Sequence, residues 1–102
     1  MKLNRPNSIF IESREWFDRS GGNSYFSSRV SVNGLFVYSS AMEYGYDTQH
    51  IHEALGQLIK RGILSDDLNT PYKVRGAGIA LYFVKYDSTK RNMFTNEEGE
   101  AN

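Results

Sequence analysis

The dipeptide Asn33-Gly34 restricts the fold of this chain more than any other feature of its sequence. It lies between two runs rich in β-branched and aromatic residues, and a two-residue hairpin turn needs positive φ at both central positions, which Asn and Gly tolerate. The pattern predicts an antiparallel hairpin with strands at 25–32 and 35–42. Because the turn fixes the register, cross-strand pairs can be counted outward from it.

The predicted pairs divide the hairpin into two faces. One face is mainly aliphatic and should lie on the core. Its pairs are Val32 with Leu35, Val30 with Val37, Ser28 with Ser39, and Phe26 with Ala41. The other face mixes aromatic, hydroxyl and Arg side chains and should be partly exposed. Its pairs are Ser31 with Phe36, Arg29 with Tyr38, Ser27 with Ser40, and Tyr25 with Met42.

Two further strands are predicted outside the hairpin. Residues 8–18 are rich in Ile and aromatic residues and end at a Gly-rich turn segment, which is typical of a strand. The polar segment 65–78 predicts a loop. The nearly continuous apolar run 79–86 predicts a strand that is central in the sheet or covered on both sides.

One helix is predicted between these strands. Apolar residues recur at helical spacing from Ile51 to Ile59, and Asp47 or Thr48 can cap a helix that begins near Gln49. The resulting order is β-β-β-α-β. We therefore expect an α+β fold, in which an antiparallel sheet of three N-terminal strands plus a C-terminal strand packs on one main helix.

Length and composition set the domain limits and exclude several classes of protein. The 102 residues fit one domain at 8–91, with a flexible lead-in at 1–7 and a disordered acidic tail at 92–102.

The absence of Cys removes disulfides and thiolate chemistry. No apolar run approaches the roughly 20 residues that span a bilayer. The formal net charge of zero gives no argument for nucleic acid, and we expect a soluble cytoplasmic protein without a membrane partner.

No group of residues in the sequence has the spacing of an active site. His50 and His52 are two positions apart and would point away from each other on a helix, so both are predicted to be surface residues. The hairpin serines lie in mid-strand and should pair across strands. The Gly-rich segment 75–78 precedes a strand, whereas phosphate-binding loops open a helix. We expect no catalytic residue, no metal and no cofactor.

A binding surface is the stronger prediction. It comprises Tyr25, Arg29, Phe36 and Tyr38 on the outer hairpin face, with Tyr44 and Tyr46 beside it. Aromatic side chains with Arg are typical of protein–protein hot spots and also of surfaces that stack the bases of single-stranded nucleic acid. The face could instead be covered by this chain or by a second copy of it.

Several segments resemble a group of small, uncharacterised proteins encoded by bacteriophages and prophages. The similarity covers about residues 12–62, half of the chain. It is carried by Arg14-Glu15-Trp16-Phe17-Asp18, Gly22-Asn23-Ser24-Tyr25-Phe26-Ser27, Arg29-Val30, Val32-Asn33-Gly34, Tyr44-Gly45-Tyr46 and Ala54-Leu55. The resemblance implies a phage accessory protein in the bacterial cytoplasm, and it transfers no catalytic residue.

The sequence thus favours a non-enzymatic accessory protein that binds a host or defence protein, with a homodimer as an open option. The first alternative is a protein that binds single-stranded nucleic acid through the aromatic and Arg face. The second is a protein that sequesters a small molecule or nucleotide, which would need a cavity or an interface pocket.

Overall fold

The structure, a computed structural model, describes residues 6–45 and 47–98, which form one mixed sheet and two helices. The strands are β1 Ser8–Asp18, β2 Asn23–Val32, β3 Leu35–Ser39, β4 Glu43–Tyr44, β5 Ala80–Asp87 and β6 Glu97–Glu98. The helices are α1 Gln49–Lys60 and α2 Pro71–Gly76, and a 3₁₀ turn spans Lys90–Asn92. None of the helices in the described ranges has the length and apolar character needed to cross a membrane.

The strands follow the order β5-β1-β2-β3-β6, and β4 pairs with β2. β2 pairs antiparallel with β1 and with β3, as predicted. β5 lies parallel to β1 because the chain crosses over through α1 and α2 before it returns to the sheet. The predicted α+β fold of three N-terminal strands, one main helix and a C-terminal strand is confirmed.

The core lies between the sheet and the helices. Its buried side chains come from the inner sheet face (Ile9, Ile11, Val30, Tyr38, Leu81), from α1 (Ile51, Ala54, Leu55, Leu58) and from the segments around α2 (Leu64, Leu68, Val74, Ile79). The predicted amphipathic helix is therefore present, and its apolar stripe packs on the sheet. Full burial of each large aliphatic side chain contributes about 1.5–3 kcal/mol.

The hairpin has the predicted turn but not all of the predicted register. Asn33 and Gly34 have φ of 54° and 80°, and Ser31 pairs with Phe36 as predicted. Beyond that pair a β-bulge inserts one extra residue in β3, so Val30 pairs with Tyr38 and not with Val37. A bulge of this kind exchanges the faces of the residues that follow it. The prediction that Tyr38 lies on the outer face was therefore wrong.

The strand predicted to end at residue 42 is also shorter. β3 ends at Ser39, and the chain resumes pairing with β2 as β4, where Glu43 lies opposite Phe26 and Tyr44 lies opposite Tyr25. The predicted partners of those two β2 residues, Ala41 and Met42, were therefore wrong: the bulge at Val37 shifts the register by one residue, and the unpaired segment 40–42 shifts it by one more. The shift brings Tyr44 onto the outer sheet face.

Three segments differ from the sequence prediction. The predicted loop at 65–78 contains α2, because the hydroxyl of Thr70 accepts a hydrogen bond from the Lys73 N–H and Pro71 occupies the first helical position. The apolar strand β5 lies at an edge of the sheet and is not central. Residues 92–98 of the predicted tail belong to the fold, whereas 99–102 lie outside the described residues.

The predicted lead-in is tied down at the two positions that the structure describes. The Oδ1 atom of Asn33 accepts hydrogen bonds from the backbone N–H groups of Asn7 (2.7 Å) and Ser8 (3.1 Å). The carbonyl of Asn7 in turn accepts from the N–H of Ala80. Pro6 is buried, and residues 1–5 of that prediction lie outside the described residues.

Candidate functional site

The candidate site is the outer face of the sheet, opposite the helices. Side chains alternate along a strand, so the buried inner residues Ile9 and Ile11 of β1 leave Phe10 and Trp16 on the outer face. The unbroken pairing of β1 with β2 extends this alternation across both strands, and Trp16 lies opposite Tyr25. The outer face therefore collects aromatic residues from several strands.

A C-terminal strap, residues 88–98, crosses the middle of this face from β5 towards β3. Its backbone is held by the sheet's polar side chains: Arg14 donates to the Asn92 carbonyl (2.6 Å), and Ser39 donates to the Thr95 carbonyl (2.5 Å). The Phe94 N–H donates to the Ser27 hydroxyl (2.8 Å). The strap therefore covers the middle of the outer face, and it leaves an open region at each end of that face.

The outer aromatic cluster, Trp16, Tyr25 and Tyr44, occupies one of the open ends. The rings of Trp16 and Tyr25 stack with centroids 5.5 Å apart, and Tyr44 meets Tyr25 edge to face at 5.9 Å. Tyr44 is 58% exposed. The Lys90 ammonium lies 5.5 Å from the Trp16 ring centroid. Tyr25 thus joins the rings of Trp16 and Tyr44 across paired strands, and the three side chains form an amphipathic surface.

A second group of side chains joins the strap to the sheet. The Arg29 guanidinium lies 5.3 Å from the Phe36 ring centroid and 5.5 Å from that of Phe94. The Arg14 guanidinium lies 4.3 Å from the Phe94 ring centroid. Both cations are thus already engaged by aromatic rings of this chain, which stabilises the strap on the sheet.

The structure brings together some of the predicted binding residues and separates others. Tyr25, Arg29, Phe36 and Tyr44 lie on the outer face, while Tyr38 lies on the inner face with 4% exposure. Burial beneath the helix raises the pKa of the Tyr38 phenol, and the nearby Glu53 carboxylate raises it further. Tyr46 lies outside the described residues.

Five outer-face aromatics were missed by the sequence prediction, namely Phe10, Trp16, Tyr82, Tyr86 and Phe94. The alternation along residues 8–18 could have assigned the first two, because the even positions there alternate with Ile9 and Ile11. The two tyrosines of β5 follow the same rule once β5 is known to lie next to β1. No local pattern places Phe94, whose contacts are all distant in sequence.

Two polar depressions flank these surfaces. A wide, open groove of 690 Å³ beside the strap is lined by Glu12, Arg14, Tyr86, Asp87, Ser88, Thr89 and Asn92. A smaller depression of 300 Å³ lies where α1 meets the end of β3, and it contains Glu43 and Glu53. Burial, followed by repulsion from the Glu53 carboxylate, raises the pKa of Glu43. Within the described ranges, no three His, Cys, Asp or Glu residues are arranged to hold a metal ion.

The inner face holds a buried Ser–Ser–His chain that the sequence prediction missed. The Ser13 hydroxyl lies 2.8 Å from the Ser28 hydroxyl and 2.8 Å from His50 Nδ1. A serine beside a histidine can serve as a nucleophile when a substrate reaches it. Here all three side chains are buried under α1, so the chain joins β1, β2 and α1 in the core.

The prediction that both histidines are surface residues was wrong for His50. His52 is exposed, but His50 points at the sheet, and its ring makes edge contacts with Phe26 and Phe83. Burial of the ring, and secondly the neighbouring Lys85 ammonium, lower the pKa of His50 to about 4. The side chain is therefore neutral in the folded protein at neutral pH.

Comparison with protein-family models, with curated proteins and with solved structures gives no significant match to this chain. The outer face is therefore interpreted from its own residues.

Proposed function

We propose that this protein is a non-enzymatic accessory protein that binds a partner protein through the outer aromatic cluster. The observation that carries the proposal is the contact between the rings of Trp16, Tyr25 and Tyr44 at an open end of the outer face. Trp and Tyr are enriched at interface hot spots because they bury a large apolar area and keep a polar group at the tip. The strands hold the rings in place, so binding would order few side chains.

The kind of partner is suggested by the resemblance to phage and prophage proteins over residues 12–62. Three of the segments that carry this resemblance contribute Trp16, Tyr25 and Tyr44 to the cluster. A small phage-type protein of this kind would act in the cytoplasm of a bacterial host on a host or defence protein. Binding through the outer aromatic cluster does not depend on whether the partner is a host or a defence protein.

The test is capture of a partner by the purified protein from bacterial lysate, followed by a titration with the identified partner. Replacing Tyr44 by Ala removes an exposed ring without opening the core, and we expect the dissociation constant to rise about tenfold or more. The matched control is Tyr72→Ala on α2, where the ring is 87% exposed and outside the cluster. Equal binding by the two variants would contradict the proposal.

Single-stranded nucleic acid is the second candidate, and Lys90 beside Trp16 is the observation that favours it. A cation next to a stacking ring is a common arrangement for bases and phosphates. Against it, Arg14 and Arg29 are stacked on rings of this chain, and Glu12 lies opposite Arg29 on the same face. Protein contact is therefore the better-supported proposal.

The two candidates differ in their response to salt. Binding to an oligonucleotide would weaken steeply between low and moderate salt and would weaken further in Lys90→Ala. Fluorescence anisotropy with a labelled single-stranded oligonucleotide measures this directly. We expect no binding of the oligonucleotide at low salt. A salt-dependent complex that needs Lys90 would show instead that the partner is nucleic acid and not a protein.

A further inference from the structure

The strand β5 lies at an edge of the sheet and can pair with a further strand. It is eight residues long, and within the described ranges no strand pairs with the edge that faces away from β1, where the Arg75 guanidinium bonds the Leu81 carbonyl. Its aromatic side chains remain solvent-accessible, with Tyr82 at 62%, Tyr86 at 52% and Phe83 at 40% exposure. Natural edge strands are usually short, or are protected by Pro or by outward charges. The ammonium group of Lys85 instead turns back to Glu15 and to the Asp47 carbonyl.

The backbone groups of β5 that face outward can be identified. The N–H group of Ala80 donates to the carbonyl of Asn7, just before β1, and the N–H group of Ser88 donates to the carbonyl of Glu15 in β1. In a sheet, successive residues direct their N–H and C=O groups to opposite sides, so even-numbered residues face β1 and odd-numbered residues face outward. The hydrogen bond of 2.8 Å from the Arg75 guanidinium to the Leu81 carbonyl agrees with this assignment.

We propose that β5 pairs antiparallel with β5 of a second copy of this chain, about a two-fold axis at Val84, which joins two sheets into one. In this register the outward-facing Phe83 lies opposite Lys85 of the second copy, so their backbone groups exchange hydrogen bonds. On the outer face, Tyr82 lies opposite Tyr86 of the second copy, twice. The exposed tyrosines of each edge are thus covered by those of the other.

Charge complementarity and the length of the strand overlap together favour this register. Leu81 lies opposite Asp87 of the second copy, and Arg75, which is bonded to the Leu81 carbonyl, therefore faces an exposed carboxylate. The two-fold axis creates this contact twice. An axis at Lys85 would instead place two ammonium-bearing residues opposite each other, and an axis at Phe83 would leave Asp87 without a strand partner.

The dimer also accounts for the composition of β5. The apolar run at 79–86 predicts a strand that is central in the sheet or covered on both sides, yet one copy leaves it at an open edge. Pairing with a second copy places β5 at the centre of a continuous sheet. The surface used is separate from the outer aromatic cluster, so the dimer does not depend on the proposed function.

Sedimentation equilibrium of the full chain tests the dimer. We expect a concentration-dependent shift from 11.7 kDa to twice that mass. Asp87→Arg should raise the dissociation constant about tenfold, because two attractive contacts become repulsive. The combined exchange Arg75→Asp with Asp87→Arg should restore it, and Asp66→Arg, a charge reversal in an exposed loop, should leave it unchanged. A protein that stays monomeric at high micromolar concentration overturns the proposal.

Amide hydrogen exchange locates the interface. The N–H groups of Phe83 and Lys85 should exchange fast when the protein is dilute and slowly when it is concentrated, whereas that of Val84, which faces β1, should be slow in both. A dimer in which the first two amides stay fast, or protection that arises only when a foreign protein is added, overturns the proposal. Tyr44→Ala should leave the mass unchanged, so failure of the dimer and failure of the proposed function are distinguishable.

Discussion

His50 is the residue whose placement most changes the interpretation of the sequence. Two histidines two positions apart on a helix point to different sides, and here one of them points into the core while the other remains in solvent. The buried ring is joined to β1 and β2 through Ser13 and Ser28. A neutral imidazole satisfies this arrangement, whereas a protonated ring would be a buried charge beside the Lys85 ammonium.

This placement predicts a dependence of stability on pH. Between pH 6.5, the ordinary pKa of His, and about 4, its pKa in the folded protein, the unfolded chain binds a proton that the folded protein does not bind. The free energy of unfolding should therefore fall as pH falls through this window, by at most on the order of 3 kcal/mol, with no further loss from His50 below it. Urea unfolding at a series of pH values measures the slope.

A pair of matched substitutions assigns the slope to His50. Gln at this position can still bond the Ser13 hydroxyl but does not titrate, so His50→Gln should lose this part of the pH dependence. His52→Gln removes an exposed histidine and should keep it. If the two variants show the same slope, the pH dependence belongs to the carboxylates.

At the scale of elements, the hairpin shows which features local sequence patterns predict and which they do not. The Asn33-Gly34 turn, the first pairs beside it and the α+β order follow from the sequence, because turn chemistry and periodicity are local. The bulge at Val37 does not follow, since either register offers apolar residues to the core. The bulge places the Tyr38 ring in the core, where it lies under the Arg61 guanidinium at 4.5 Å.

The residues of the candidate site also differ in whether local sequence patterns predict their position. Tyr25 is correctly placed by counting from the turn, whereas its neighbour Trp16 depends on a pairing across the segment 19–22, which no short turn fixes. The strap is harder still to predict, because its contacts with the sheet join residues more than fifty positions apart, such as Phe94 and Ser27. The acidic composition of residues 92–102 does not predict that the strap packs on the sheet, because two apolar side chains and a few hydrogen bonds are enough to hold it there.

The turn residue Asn33 performs two separable tasks. It adopts φ of 54°, and its side chain holds the backbone of Asn7 and Ser8. Asn33→Gly keeps the positive φ and loses the side-chain hydrogen bonds, and we expect the free energy of unfolding to fall by about 1–2 kcal/mol. Asn33→Ala should lose roughly 1 kcal/mol more, because the left-handed conformation is strained for Ala.

Urea unfolding compares these variants with Asn33→Asp, which retains the accepting oxygen and the tolerance of positive φ. That variant should lie within about 0.5 kcal/mol of the unchanged protein, as surface substitutions usually do. Should Asn33→Gly be equally stable, the side-chain bonds to the lead-in contribute nothing measurable.

At the scale of the whole molecule, the strap connects opposite parts of the sheet. It leaves β5, crosses β1 and β2, and ends as β6 on β3, so the described sheet is spanned on its outer face by a single segment. Met93 is its buried residue, with its sulfur against the Ser27 hydroxyl. The strap should therefore stabilise the sheet as a unit and not one strand alone.

Met93→Ala tests this role. Loss of a buried Met side chain should lower the free energy of unfolding by about 2 kcal/mol and speed amide exchange in both β1 and β3. The control is Arg91→Ala at the exposed 3₁₀ turn, which should change neither quantity. Faster exchange confined to the strap itself would show that the sheet does not depend on it.

The parallel pairing of β1 with β5 has a consequence for the nascent chain. Ile9 pairs with Leu81, more than seventy positions later. At roughly 5–20 residues per second, translation leaves β1 without this neighbour for several seconds after it is made. During that interval the hairpin can form, but an apolar edge of β1 is open to other chains and to chaperones. The strand order therefore delays the last pairing of the sheet until β5 has been synthesised.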